Sequence, residues 1–207
     1  MLGRFSAVLL VAMVLAGGAR AKQVGRTTGP AREYNGHWWL LLTSEEQDGY
    51  LNGDSDCYRF ELNMKFANAR TFVETRESVT DFYQNNPDKR SLPVYDVIRI
   101  VDREPLSRKP VAGGEIWNGR HGYWDGQWWR EGIPADRIGF VEGYLACYRA
   151  GAKNAHGSFA KSAAQYVGLI NRWYGLNEES GDIDSEKEET KIADVLFKFQ
   201  SKSGVAK

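Results

Sequence analysis

The chain has 207 residues, with 27 basic and 27 acidic side chains, 13% aromatic residues, two cysteines and three histidines. A formal charge of zero, with no basic cluster interleaved with aromatics, excludes a general electrostatic grip on nucleic acid. The cysteines form neither C-x-x-C nor C-x-x-C-H, which excludes those redox and haem-attachment motifs; His37, His121 and His156 are too scattered to indicate a metal site, and no cofactor is indicated.

Residues 1–21 carry Arg4, an apolar run from Ala7 to Ala16 and the ending Ala19-Arg20-Ala21, the pattern of a secretory signal peptide cleaved after Ala21. The apolar run falls short of the ~20 residues a membrane span needs, so no membrane association is expected after cleavage. Cleavage removes two arginines and no acid, leaving 25 basic against 27 acidic residues. Residues 22–33 are polar and rich in Gly, Thr and Arg, and read as a flexible leader.

From Gly36 to Arg59 and again from Gly126 to Arg149, at a constant offset of 90, the chain reads G-x-W-W-x9-G-x3-G-x3-C-Y-R. This predicts an all-α protein of two tandem, pseudo-twofold-related three-helix units packed together, the first over 34–103 and the second over 126–207. In unit one, Thr43 or Ser44 with Glu46 or Gln47 opens a helix over 44–60, a second covers 69–84 with Phe72, Val79, Phe82 and Tyr83 on its apolar side, and a third follows Pro93. The alternation Tyr58, Phe60, Leu62, Met64, Phe66 also fits a strand, but its copy at 148–156 does not keep the pattern. Residues 104–125 form a long Trp- and Gly-rich loop between the units. In unit two, Pro134 opens a helix over 134–150, and Ser158 caps a second that ends at Gly175. An acidic linker at 177–191 leads to a third over 188–199, whose Ile192 to Leu196 resembles Val94 to Ile98.

Gly49, Gly53 and Cys57, and likewise Gly139, Gly143 and Cys147, recur at every fourth position and line one side of the first helix of each unit. Glycine inside a helix costs roughly 1 kcal/mol relative to alanine, so close packing of the two helices, or a ligand against bare backbone, must compensate. Cys57 and Cys147 occupy equivalent positions and are expected either to pair in an oxidising compartment or to remain as buried thiols; pairing would place the symmetry axis beside them.

Tryptophan suits a core, a stacking platform for sugars, or the centre of a protein interface. Trp39 and Trp129, just before the first helices, read as core plugs. Trp117, Trp124 and Trp128, with Arg120 and His121, read as the binding surface for a protein or glycan partner. His121 and Asp125, with Glu115 and Glu142, are the candidates for acid or base work; no nucleophile motif accompanies them, and their alternative is a structural or solvated role.

The Gly-rich first helix with its cysteine, the segment Val79 to Pro87 in the form V-x-x-F-Y-x-x-x-P, and Pro93-Val94 opening an amphipathic helix resemble the small exported, disulfide-bonded helical immunity proteins of type VI secretion amidase effectors. The resemblance covers about 60 residues of unit one and patches of unit two. It implies a periplasmic or secreted bacterial protein that inhibits a secreted toxin. The leading expectation from the residues is an exported, non-enzymatic helical binding protein using the Trp-rich loop. The alternatives are an exported hydrolase of an extracellular polymer, with its site lined by Trp124 and Trp128, and the immunity-like inhibitor.

Overall fold

The computed structural model describes residues 34–66, 70–104, 123–151, 157–177 and 179–202. The expected signal peptide and leader, and all of the inter-unit loop except Glu104 and Tyr123 to Asp125, lie outside the described residues. The described chain is mostly helical, as the periodicity predicts.

The first half comprises α1 (Gly36–Trp39), α2 (Ser44–Asp56), α3 (Phe72–Asn85) and α4 (Val94–Arg103); the second comprises α5 (Gly126–Glu131), α6 (Pro134–Gly151), α7 (Ala163–Tyr174) and α8 (Ile192–Lys198). Side chains supply the missing hydrogen bonds at the helix starts. Asn35 and Asp125 accept from the backbone N–H of Trp38 and Trp128, opening α1 and α5. Thr43 with Glu46, Thr71 with Glu74 and Ser162 with Gln165 form reciprocal capping boxes for α2, α3 and α7.

Four boundaries differ from expectation. The first is α2, which leaves α-helical geometry at Asp56 and continues as a π-helical turn, Cys57–Glu61, closed by Leu62 N–H donating to the Cys57 carbonyl at 3.0 Å; no strand forms over 58–66. Next, α3 starts three residues later than expected, at the Thr71 capping box. For α7 the cap is Ser162 instead of Ser158, because Ser158 is held in a two-residue antiparallel ladder, β1 (Gly157–Ser158) with β2 (Ser201–Lys202), and Phe159 turns into the core against Tyr148, Tyr166 and Phe197. Finally, α8 starts four residues late: 184–190 forms turns, and Lys191 is extended and bridged to Asp125.

The principal helix contact is α2 against α6. The helices run parallel: a β-carbon at Gly49 would overlap the backbone of Asp136 and one at Gly53 that of Phe140, while Gly139 lies on Glu46 and Gly143 on Tyr50. The glycine ladder therefore brings backbone onto backbone, which accounts for four glycines in helix interiors. Parallel alignment also sets two positive helix ends side by side, where Glu45, Glu46 and Asp136 in the first turns offset them. At the other end the disulfide Cys57–Cys147, with Cα atoms 6.1 Å apart and both cysteines buried, clamps the pair. Closing a loop of this length stabilises a fold by about 4 to 5 kcal/mol in the chain-entropy model.

Several hydrogen bonds recur at matching positions of the two halves. Trp39 and Trp129 are fully buried and donate through their indoles to Thr80 Oγ1 (3.0 Å) and Asn171 Oδ1 (2.8 Å). Tyr83 and Tyr174 pack on Gly36 and Gly126 and donate to the carbonyls of Leu92 and Thr190. Tyr34 and Trp124 accept from the N–H of Val94 and Ile192. Among the described residues, no helix is long and apolar enough to cross a membrane.

Candidate functional site

The expected binding surface changes once its tryptophans are placed. Trp124 is fully buried between Phe72 and Phe140, and its indole N–H donates to Asn52 Oδ1 on α2 at 3.1 Å. Trp128 lies in α5, 5% exposed, against Phe140. Both are core wedges of the second half: the α2–α6 crossing sets Asn52 and Phe140 against them, so the indoles find their apolar contacts, and Trp124 its hydrogen bond, inside the fold. Neither presents a ring face to solvent. Trp117, Arg120 and His121 lie outside the described residues, as does Glu115.

The candidate acids are also in structural positions. Asp125 is buried and caps α5 through Oδ1, as Asn35 caps α1. Glu142 is buried on α6, the helix against which α2 packs. Among the described residues, no group of three or more His, Cys, Asp and Glu side chains is arranged to hold a metal ion.

A different constellation gathers at the disulfide end of α2. Asp56, the last residue of α2, is 2% exposed, and its Oδ2 has no hydrogen-bond partner among the described residues. Burial pushes its carboxyl well above the usual carboxylate range, and the neighbouring charges of Glu61 and Asp194 push it further, against the opposing pull of Lys191 and Arg59. Glu61 is raised by the same cause and lies beside the Tyr144 hydroxyl of α6. The π-helical turn sets Phe60, 40% exposed, at the rim. Tyr123 stands opposite, held by its hydroxyl on the Glu189 carbonyl (3.3 Å) and by the neighbouring Asp125–Lys191 bridge. Between the two rings sits the Lys191 ammonium, 5.4 Å from the Phe60 centroid and 4.7 Å from that of Tyr123.

Sequence reasoning missed this site because its members come from four separate segments. One signal was available: Asp56 stands where the second copy has Ala146, so a carboxylate replaces a small apolar residue next to the cysteine. Comparison with known proteins adds no relative: no protein-family model, no curated protein and no solved structure matches this chain.

The Lys191 ammonium thus lies against two aromatic rings and its charge acts on the buried Asp56 carboxyl, whose Oδ2 has no donor among the described residues.

Proposed function

We propose that this is an exported, non-enzymatic binding protein, a duplicated helical unit clamped by one disulfide, which engages its partner through the disulfide end of α2 and the adjoining Trp-rich segment. The observation that carries the reading is the buried Asp56 carboxyl with an unpartnered oxygen, on the same helical run as the exposed Phe60 ring. A buried acceptor without a partner costs about 1 to 3 kcal/mol, a cost that a ligand donating to it would offset. The buried disulfide and the secretory pattern of residues 1–21 support export to the periplasm or medium. With Trp124 and Trp128 buried, the proposed surface comprises Phe60 and Tyr123, with Trp117, Arg120 and His121 preceding Tyr123 in the sequence.

The test is recovery of partners from the native periplasm or medium with the full mature protein. A partner held by wild type and by the remote variant Ile133→Ala, and lost with Phe60→Ala/Tyr123→Ala, is the expected result. Recovery of nothing, or of the same set with every variant, overturns the reading.

A further inference from the structure

We infer that the seat of α8 beside the disulfide end of α2 is a pH-sensitive latch with Asp56 as its sensor, closed while that carboxyl is neutral and loosened when it ionises. The latch belongs to the scaffold and stands whether or not the exposed Phe60 ring engages a partner.

Asp56 occupies this seat by the correspondence of the two halves. Its counterpart Ala146, on α6, packs against the first half's core, the cluster that holds Val94, Val97, Ile98 and Val101 of α4, and α4 itself packs on α6. In the second half the matching helix is α8, whose Ile192, Ala193, Val195 and Leu196 share one buried cluster with Cys57, the residue after Asp56. Lys191, the cap of α8, reaches the π-helical turn, with its ammonium 5.4 Å from the Phe60 centroid. Where the first half has a methyl group, the second therefore has a carboxyl, 2% exposed and with Oδ2 unpartnered among the described residues. A methyl group is neutral at every pH. A carboxyl in that place is tolerated as the neutral acid, because an ionised group withdrawn from water without a partner costs far more.

The neighbouring elements do little for the ionised form. Burial is the main force against it, and Glu61 of the π-helical turn and Asp194 of α8 add repulsion, so the carboxyl stands well above the usual range. Lys191 and the exposed Arg59 favour ionisation, but the Lys191 ammonium is held against the rings of Phe60 and Tyr123. The Tyr144 hydroxyl of α6 lies beside Glu61, and the Tyr174 hydroxyl of α7 donates its proton to the Thr190 carbonyl at 2.7 Å. Of the packed elements α8 is the one that yields: Cys57, beside Asp56, is bonded to Cys147 of α6, whereas α8 has seven residues against the ten of α4. Its opening admits water and returns Asp56 to the ordinary carboxylate range. The closed state then holds a proton that the open state has released, so closure is favoured most below the ordinary range, and that advantage is lost as pH rises through the raised value.

The test is amide hydrogen exchange of the mature, disulfide-intact protein at pH 5 and pH 7, with rates corrected for the intrinsic pH dependence of exchange. The α8 amides, Ile192 to Lys198, should open more readily than those of α3, Phe72 to Asn85, at pH 7, and their opening constant should rise about tenfold or more from pH 5 to pH 7, one proton giving at most tenfold per pH unit. In Asp56→Ala, which imports the residue of the matching position, and in Asp56→Asn, most of that rise should disappear. The inference is overturned if α8 and α3 exchange alike at pH 7, which would mean opening by global unfolding alone, if the α8 opening constant is the same at both pH values, or if either variant keeps the full rise. The first two outcomes are read on wild type and do not depend on the variants folding.

Discussion

The two halves solve one packing problem in opposite ways. In the first half, Asp54 on α2 is 1% exposed and accepts two hydrogen bonds from Arg99 Nη2, at 2.9 and 2.8 Å, while the guanidinium lies 3.6 Å from the Tyr58 ring and 4.6 Å from that of Tyr95. Positions 54 and 58 correspond to 144 and 148, and Arg99 corresponds to Phe197 when Val94 is aligned with Ile192. There the second half has Tyr144, Tyr148 and Phe197, with ring centroids 5.6 to 6.5 Å apart. A buried ion pair and an aromatic trio thus fill the same place beside the disulfide. Fold formation does not require the charges, in keeping with the near cancellation of Coulomb gain by desolvation in buried pairs. The first half's pair is also imperfect, since Nε and Nη1 of Arg99 are buried without hydrogen-bond partners among the described residues.

The largest effect is expected where the halves share one contact. Gly143→Leu drives a side chain into the Tyr50 backbone and should abolish cooperative folding; an unchanged Tm by circular dichroism would break the comparison at its axis. Next, Arg99→Met strands Asp54 and should cost about 3 to 5 kcal/mol in urea unfolding, whereas Asp54→Tyr/Arg99→Phe imports the second half's solution and should recover most of that loss. A double variant no better than the single one would show that the halves are not interchangeable there.

A smaller effect concerns pH. Burial raises Asp54 to about 6, partly countered by Arg99, against 3.8 in its ordinary state. Between those values the folded state holds a proton that the unfolded state has released, so the contribution of Asp54 to stability is greatest below about pH 4, falls as pH rises through the window, and levels above about 6. Buried Asp56 and partly buried Asp48 and Asp136 act in the same direction. The double variant should flatten part of this slope, and equal slopes in both proteins would remove Asp54 as its source. The smallest change is expected for Tyr50→Phe. Tyr50 is fully buried, its hydroxyl has no hydrogen-bond partner among the described residues, and its counterpart is Phe140, so thermal unfolding should show stability unchanged or raised by up to about 1 kcal/mol. A marked loss would reveal a role for the hydroxyl that the second half lacks.

Much of the scaffold was legible because it is local. The starts of α2, α4 and α6, the Gly175 stop and the apolar sides of α3 and α7 follow from capping side chains and helical spacing, which act over a few residues. Ser158 misled because cap chemistry alone does not reveal that β2, some forty residues later, claims its backbone. The Trp-rich segment misled more seriously: Trp124 and Trp128 look alike in sequence whether they face solvent or a core, and the deciding partners, Asn52 and Phe140, come from other helices.

By itself, then, the sequence determined the helical class, the duplicated pattern and the matched positions of glycine ladder and cysteine, since periodicity, capping and repetition are carried by neighbouring residues. Tertiary structure alone decided that α2 and α6 run parallel, that Asp54 pairs with Arg99 where the other half stacks aromatics, and that the charges of Glu61, Lys191 and Asp194 act on the buried Asp56. Those outcomes depend on burial and on charges from distant segments, and the cost of leaving Asp56 unpartnered exists only once the fold has withdrawn it from water.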